Sequence, residues 1–455
     1  MKPSDPPSPG PGIGSDGPRR PMERSPAGKA ELVDYAKSLD CIHCGLCLQT
    51  CPTFRLTGQE ASSPRGRIHL MRAVAEERLA PDAVFADEME FCLLCRHCES
   101  VCPAGVQFGS MMEFTRDAME RSHPRGWTRA LLRWLGFRVV LPHRIVLRLA
   151  GSLLRAAQVL GLDRLADRVL GDRGMRYLPR VPPLSSRRLL ARQVPAEGTP
   201  RGELAFLEGC VMPEFHAHVN RATARSLARL GFSLRVPGVT CCGSLHAHNG
   251  DLEAARRLAR ALIAAFEREH DASGSPLGIV VNSAGCGAHL KELHHIFPVG
   301  HPWHARALAL AERVRDYSEI VAPLLAEART ELGTPPLPQP ITWDDPCHLC
   351  HGQNVRSQPR SVLEALPGLE RVELADSESC CGSAGIYSLL RPAASRAVLA
   401  KKLADLERSG ARTLVTANPG CQIQWESGLA RAGSSVRVAH LAELVDAALG
   451  AKRSP

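Results

Sequence analysis

Sixteen of the chain's seventeen cysteines fall into patterns that could do chemistry. Cys41, Cys44, Cys47 and Cys51 are followed by Pro52, and Cys92, Cys95, Cys98 and Cys102 by Pro103. Both runs have the spacing C-x2-C-x2-C-x3-C-P. Eight thiolates so spaced are the sequence form of two [4Fe–4S] cubanes, which carry one electron at a time. Paired C-x-x-C also reads as zinc. Zinc takes four ligands in one site, and three cysteines plus one before a proline, twice over, is a poor match to that spacing.

Three cysteines two residues apart on a tight loop can reach three irons of one cube. The fourth is expected at the start of a helix, turned towards the other cluster, as in two-cluster ferredoxins. This assigns Cys41, Cys44, Cys47 and Cys102 to one cluster, and Cys92, Cys95, Cys98 and Cys51 to the second. The proline after each fourth cysteine fixes the backbone where the chain leaves.

The remaining patterned thiols come in two units. Cys210 precedes Cys241, Cys242 and Gly243, and Cys286 follows. Cys347 precedes Cys380, Cys381 and Gly382, and Cys421 follows. Thirty residues lie between Cys210 and Cys241 and thirty-two between Cys347 and Cys380, so one unit is present twice. Four thiols per unit match one further iron–sulfur cluster at one or both units; a structural zinc or a buried cysteine pair is the plainer alternative. Gly243 and Gly382 are expected to let the backbone approach a bulky cluster.

The elements that must position these thiols follow from periodicity. A short helix over 31–40, with Leu32, Tyr35 and Ala36 on one face, leads into the first loop, and a helix over 65–80 stops at Pro81. Arg65 and Arg67 at its start suit either a cluster's negative charge, an acidic partner or plain solvation. In the second half, strands near 204–209, 233–236, 278–281, 341–345 and 413–416 alternate with helices near 252–269 and 390–409. This argues for α/β sheets with cysteines at the strand C-terminal ends, where open α/β sheets place ligands.

At 455 residues with 44% hydrophobic content, the chain has enough apolar material for several cores. Clustered, metal-like cysteines argue for a reducing compartment, the cytoplasm. Residues 1–28 lack apolar periodicity and an h-region, so they read as a disordered tail and not a signal peptide. No apolar run reaches the ~18 residues of a membrane span. The formal charge of +9 is concentrated. Residues 121–200 hold sixteen arginines, no lysine and four acids (Asp163, Asp167, Asp172, Glu197), a net +12. Leu, Val and Ile alternate with arginine at helical spacing from Trp127 to Leu170. A basic amphipathic helix reads as a docking element for an anionic membrane or a partner, against the plainer reading of arginines snorkelling on a wet face. Nothing accompanies the charge to indicate nucleic acid. No G-x-G-x-x-G opens a helix after a strand, so no dinucleotide site is evident.

With Cys41-Ile-His-Cys-Gly-Leu-Cys47, Ser63-Pro-Arg-Gly-Arg-Ile68, Asp345-Pro-Cys-His-Leu349, Cys380-Cys-Gly-Ser-Ala-Gly-Ile-Tyr387 and Thr416-Ala-Asn-Pro-Gly-Cys421, residues 30–445 resemble the iron–sulfur subunit of glycolate oxidase (glycolate dehydrogenase). The wider family joins a ferredoxin pair to cysteine-rich CCG domains. It includes iron–sulfur subunits of glycerol-3-phosphate dehydrogenase and lactate utilisation, and the CCG-bearing subunit of heterodisulfide reductase. The resemblance implies a multidomain chain: a disordered tail (1–28), an α-helical two-cluster ferredoxin module (29–120), a helical Arg-rich linker (121–200), and two repeated α/β CCG domains (201–335 and 336–455). It implies a non-flavin electron-transfer subunit with no catalytic residue of its own. FAD-binding partners would oxidise glycolate to glyoxylate, or D-lactate to pyruvate. Electrons would leave for a quinone or another respiratory acceptor, from the cytoplasm or peripherally on the cytoplasmic face of the inner membrane. A glycerol-3-phosphate or lactate dehydrogenase subunit, or a heterodisulfide reductase-like subunit with catalytic CCG clusters, is the alternative. In heterodisulfide reductase each CCG unit ends in C-x-x-C. Here Ser283 and Asn418 replace the first of those cysteines, which argues against five-cysteine ligation. Cys350 is an extra thiol, read as incidental in preference to a substitute ligand.

Overall fold

The computed structural model describes residues 32–451, apart from 123–125, 164, 166–178, 240 and 329–331. The tail assigned to 1–28, and much of the arginine block beyond 165, lie outside the described residues.

The first module is helical. Its two cysteine loops share one backbone device: His43 and Gly45 in the first, and Leu94 and Arg96 at the matching positions of the second, all have positive φ. Left-handed residues between the thiols curl each loop tightly enough to aim three side chains inward. Pro52 then opens the helix Pro52–Thr57 with Cys51 as its N-cap. The second loop departs from expectation. After Pro103 the chain turns through Gly105, and the next helix begins only at Phe108. Two more elements are shorter than their sequence suggests. The helix before the first loop is only Tyr35–Ser38. The helix Pro64–Ala75, capped by the Ser63 hydroxyl, ends well before Pro81. There Glu77 turns left-handed, and the amides of Arg78 and Leu79 bond back to the Ala73 carbonyl.

The second half holds two mostly parallel sheets. β1 (Gln193–Val194), β2 (Gly202–Phe206), β3 (Phe232–Arg235), β4 (Gly278–Val281) and β5 (Val314–Asp316) pair in the order β1-β3-β2-β4-β5, with β1 antiparallel. β6 (Ile341–Trp343), β7 (Thr413–Thr416) and β8 (Arg437–His440) pair as β6-β7-β8. A parallel bridge from Ile341 to Arg371 stands where β3 stands in the first sheet. The two units thus share one topology, as the repeated cysteine order requires. They also share one core. Phe206, Val280 and Leu325 of the first unit pack in a single buried cluster with Trp343, Val415 and Leu444 of the second. The exchange is reciprocal: the helix after β5, Tyr317–Glu327, packs on Ser357–Ala365, and the helix after β8, Leu441–Gly450, packs on Ala217–Arg229. Both exchanged helices open with a capping box, Asp316 with Glu319 and His440 with Glu443.

Between the halves, the expected long basic helix is broken. Trp127–Arg133 runs into a π-helical turn over Trp134–Val140, Pro142 interrupts, and Arg144–Val159 resumes. Its arginines turn inward. Arg138 pairs with Asp251, Arg144 with Glu208, and the fully buried Arg187 with Glu214. Among the described residues, no helix is long and apolar enough to cross a membrane.

Candidate metal centres

Cys41, Cys44, Cys47 and Cys102 border one hollow, together with Cys98, Arg65, Ile68 and Phe108. Two arginines hold this loop. Arg65 donates to the His43 carbonyl at 3.1 Å while paired to Glu60, and its backbone N–H reaches the Cys47 sulfur. Arg72 donates to the Cys41 carbonyl at 2.9 Å. Cys51 lies near thiols of both loops, since its charge bears on Cys47 as well as on Cys95 and Cys98. Burial, reinforced by neighbouring thiols, pushes the Cys95 and Cys98 thiols well up, and the thiols acting on each include Cys92 and Cys51. Arg67, the other arginine singled out in the sequence, is fully buried beside this set. It donates to Thr53 Oγ1 and the Ser62 carbonyl, the two groups Cys51 touches. It is a scaffold for Cys51, neither solvated nor available to a partner.

The eight thiols of the repeated units line one cavity of about 270 Å³. Cys242 and Cys286 approach to 3.2 Å, and Cys381 and Cys421 to 3.3 Å. Hydrogen bonding to Cys241, then burial, raises the Cys210 thiol; hydrogen bonds from Cys380 and Cys421 lower Cys381. Packed thiols that cannot all ionise alone are a donor set suited to a cation, whose charge deprotonates coordinating thiols. Sulfur donors of this number fit iron–sulfur ligation. Cys286 and Cys421 sit on the first turns of helices that begin just after β4 and β7, with Ser283 and Asn418 as the residues before them. Ser283 bonds Cys286. Asn418 donates to the Cys421 sulfur at 3.4 Å and accepts from the Gly285 amide of the other unit at 3.1 Å. These polar caps occupy the positions where a C-x-x-C would supply a fifth thiol. Cys350 is buried but does not border the cavity.

The CCG glycines meet a packing need as well as the one expected. Gly243 and Gly382 have φ of +93° and +86°, and a Cβ would meet the following helix: Ala255 O at 3.3 Å and Ser395 O at 2.6 Å. Positive φ and close helix packing already favour glycine at both positions.

A 4Fe–4S dicluster domain model matches residues 37–106, and a cysteine-rich domain model matches 204–291 and again 341–426. A third model, the linker region of the glycolate oxidase iron–sulfur subunit, matches residues 128–170. The chain is 36% identical over 438 residues to a probable glycolate oxidase iron–sulfur subunit of Bacillus subtilis, covering 93% of this chain and 97% of the relative. The chain belongs to the glycolate oxidase iron–sulfur subunit family. A second member of that family, from Escherichia coli, is 32% identical over 90% of this chain and 93% of its own length. A fumarate reductase (CoM/CoB) subunit from Methanothermobacter marburgensis is 26% identical over 92% of this chain and 74% of the relative. A ferredoxin-like domain followed by two cysteine-rich domains is therefore the family plan.

Two features of the site lie outside the cysteine patterns. Lys402, 2% exposed, pairs with Asp344 at 2.5 Å and donates to the Ser377 and Ser379 carbonyls just before Cys380. Its charge bears on Cys381 and Cys421. The sequence held a signal: Lys402 falls in phase with Ser395, Val398, Leu399 and Leu406, the buried face of its helix. The second feature is a polar wall where the ferredoxin module meets the cavity. His248 bonds Glu113 at 2.5 Å, and His348 bonds the Leu94 carbonyl at 2.9 Å. Burial, then nearby positive charge, drives the His248 pKa down to about 3, so the ring is neutral. Both pairs join residues far apart in sequence, and no local pattern marks them.

Proposed function

We propose that this chain is the electron-transfer subunit of a complex in which FAD-binding partners oxidise glycolate to glyoxylate, with D-lactate to pyruvate as the related reaction of the same substrate class. Electrons pass through this chain to a quinone or another respiratory acceptor, on the cytoplasmic side of the membrane. The division at residues 28, 120, 200 and 335 is part of this reading. So are the two crossed ligand sets of the ferredoxin module and a further site at the repeated units. Bound clusters supply one-electron steps, which link two-electron oxidation on a flavin to a distant acceptor.

The observation that carries the reading is one shared wall. Cys92, Leu93 and Leu94 of the second ferredoxin loop border the same cavity as the eight thiols of the repeated units. Leu93 and Cys95 pack directly on Cys380 and Tyr387. This shared wall supports a direct step from the second ferredoxin loop to the thiols of the repeated units. At the other end Cys44 is exposed, and Ile42 and Leu46 beside it are 67% and 59% exposed. The first loop is where a reduced partner hands over electrons.

The test uses the full chain purified without oxygen. Glycolate added to the isolated chain leaves its visible absorption unchanged; adding the FAD-binding partner makes glycolate bleach it. About eight irons per chain correspond to two cubanes, and about twelve or more place iron in the repeated units as well. Bleaching by glycolate without any flavoprotein overturns the reading, and so does disulfide reduction catalysed by the isolated chain.

A further inference from the structure

Twenty-three large apolar side chains are exposed on the described surface, and twelve of them lie between Trp127 and Leu165. Within the helix Arg144–Val159 and the residue after it, Ile145, Leu149, Leu153, Ala156 and Leu160 recur every three or four positions and so share one face. All five are exposed, Ile145 by 76% and Leu153 by 74%. The opposite face is the anchored one. Leu147 and Gly151 are buried, and Gly151 lies against the Arg187 guanidinium. An ordinary surface helix puts its apolar stripe down and its charges out. Here Arg144 turns to Glu208 and Arg155 to the Val181 carbonyl at 2.7 Å, and the leucines face water. Just upstream, Trp127 and Trp134 are 76% and 55% exposed, with Leu131, Leu132 and Leu135 beside them.

Charge indicates what covers this face. Five arginines of the 121–200 block pair with acids outside it: Arg121 with Asp117, Arg133 with Glu120, Arg138 with Asp251, Arg144 with Glu208 and Arg187 with Glu214. By sequence the block still carries sixteen arginines against four acids, a formal +12. Leucines and isoleucine on one face, tryptophans at its edge and excess arginine around it are the composition of a helix lying in a membrane interface.

We propose that the Ile145–Leu160 stripe seats in the headgroup–acyl boundary of an anionic phospholipid bilayer, with Ile145, Leu149 and Leu153 inserted and the surrounding arginines over the headgroups. This deepens the reading above, on which it rests only in that a membrane-borne acceptor gives the contact a purpose. It also changes the expected mechanism of docking, because apolar insertion is not screened by salt whereas attraction between exposed charges is.

The experiment mixes the cluster-loaded full chain with phosphatidylcholine vesicles, with and without phosphatidylglycerol, and without any quinone. Binding is read by co-sedimentation and by quenching of tryptophan emission by brominated acyl chains. The chain is expected to bind the anionic vesicles, with its emission quenched, and to keep a substantial part of that binding in high salt. Leu149→Gln with Leu153→Gln should lower partitioning at least tenfold, while Val299→Gln, another exposed apolar site, changes nothing. Both altered leucines are solvent-exposed, so unchanged visible absorption and thermal unfolding show that the fold is intact. Three results overturn the proposal: no binding by the unaltered chain, equal binding by the double variant, or burial of the stripe against a flavoprotein subunit in the assembled complex. Because the vesicles hold no acceptor, failure here leaves the electron-transfer reading standing. Conversely, failure of glycolate-driven bleaching leaves the membrane contact standing.

Discussion

Replacing Lys402 by methionine isolates what one buried cation does for the second cysteine-rich unit. Lys402 and Asp344 are 2% and 1% exposed and meet at 2.5 Å, and the other carboxylate oxygen of Asp344 accepts from Trp425 Nε1 at 2.8 Å. Removing one partner of such a pair leaves a buried charge uncompensated and costs about 3–5 kcal/mol. The Ser377 and Ser379 carbonyls lose their donor as well, in the loop that leads into Cys380 and Cys381. The loss depends on pH. Burial already pushes Asp344 up to about 6 from its ordinary 3.8, and without Lys402 it rises further. A carboxyl whose folded pKa lies above its unfolded value favours the fold at low pH, and that contribution is lost as pH rises from the unfolded value through the folded one. The deficit of Lys402→Met should therefore be small near about pH 5 and grow towards about pH 8, as the orphaned carboxylate ionises. Lys402→Met combined with Asp344→Asn should recover most of it, because asparagine keeps an acceptor for Trp425 without the charge. Urea unfolding midpoints of the anaerobically purified full chain across that range are the assay. A deficit that is flat with pH, or a double variant as weak as the single one, would refute the account.

Cys51→Ser should remove the fourth sulfur from the set of Cys92, Cys95 and Cys98, and leave intact the electron paramagnetic resonance signal of the cluster on Cys41, Cys44 and Cys47. Loss of that other signal instead means the crossing is wrong. Gly382→Ala should destabilise the chain more than Gly243→Ala. Both incur the left-handed penalty of about 1–2 kcal/mol, but a methyl group at 382 would stand 2.6 Å from the Ser395 carbonyl against 3.3 Å from Ala255 O for 243. Equal urea midpoints would remove the packing explanation.

What the sequence exposed was whatever is local or repeated. The ferredoxin loops declare themselves because their ligands lie within a dozen residues, and the left-handed turns at His43, Gly45, Leu94 and Arg96 are part of that local geometry. The repeated units declare themselves by recurrence. Long-range packing was hidden. Nothing in the helix Tyr317–Glu327 says that it will lie on a helix of the other unit, since an apolar face specifies burial but not a partner. The arginine block shows the same limit more sharply. Its period was legible, but not which face would be down, because that is decided by Asp251, Glu208 and Glu214, far along the chain. Of the two readings the sequence left open, the plainer one, with arginines on a wet face, is the one the Arg138 and Arg144 pairs and the exposed Ile145, Leu149 and Leu153 disfavour.

The contacts between the ferredoxin module and the cysteine-rich pair explain why a redox relay is built this way. The second loop forms no ladder with a neighbouring strand, so its buried carbonyls need donors from elsewhere. They come from Arg116 of the same module and from two residues across the joint. Arg116 donates to the Met89 and Cys92 carbonyls, Tyr387 to that of Phe91, and His348 to that of Leu94. Arg116 also reaches the His248 carbonyl at 2.7 Å, tying the first cysteine-rich unit to the same loop. Arg96 forks onto Glu292 at 2.6 Å, and Arg55 pairs with Asp376 at 2.8 Å. Side chains of the second repeated unit therefore bond the backbone around one thiol-bearing loop, and the first unit is tied to the same region through Arg96 and Arg116. Separating the modules would leave the Phe91 and Leu94 carbonyls without these donors, each costing about 1–3 kcal/mol where it stays buried. That cost holds the second loop against the cavity that Cys92 borders. The first loop is braced across the joint only beyond Cys51, where Arg55 pairs with Asp376 and Lys401 donates to the Arg55 carbonyl, among the described residues. Within the loop the supports are Arg65 and Arg72 of its own module, and Cys44 stays exposed to solvent, which suits the proposed entry point for a partner's electrons.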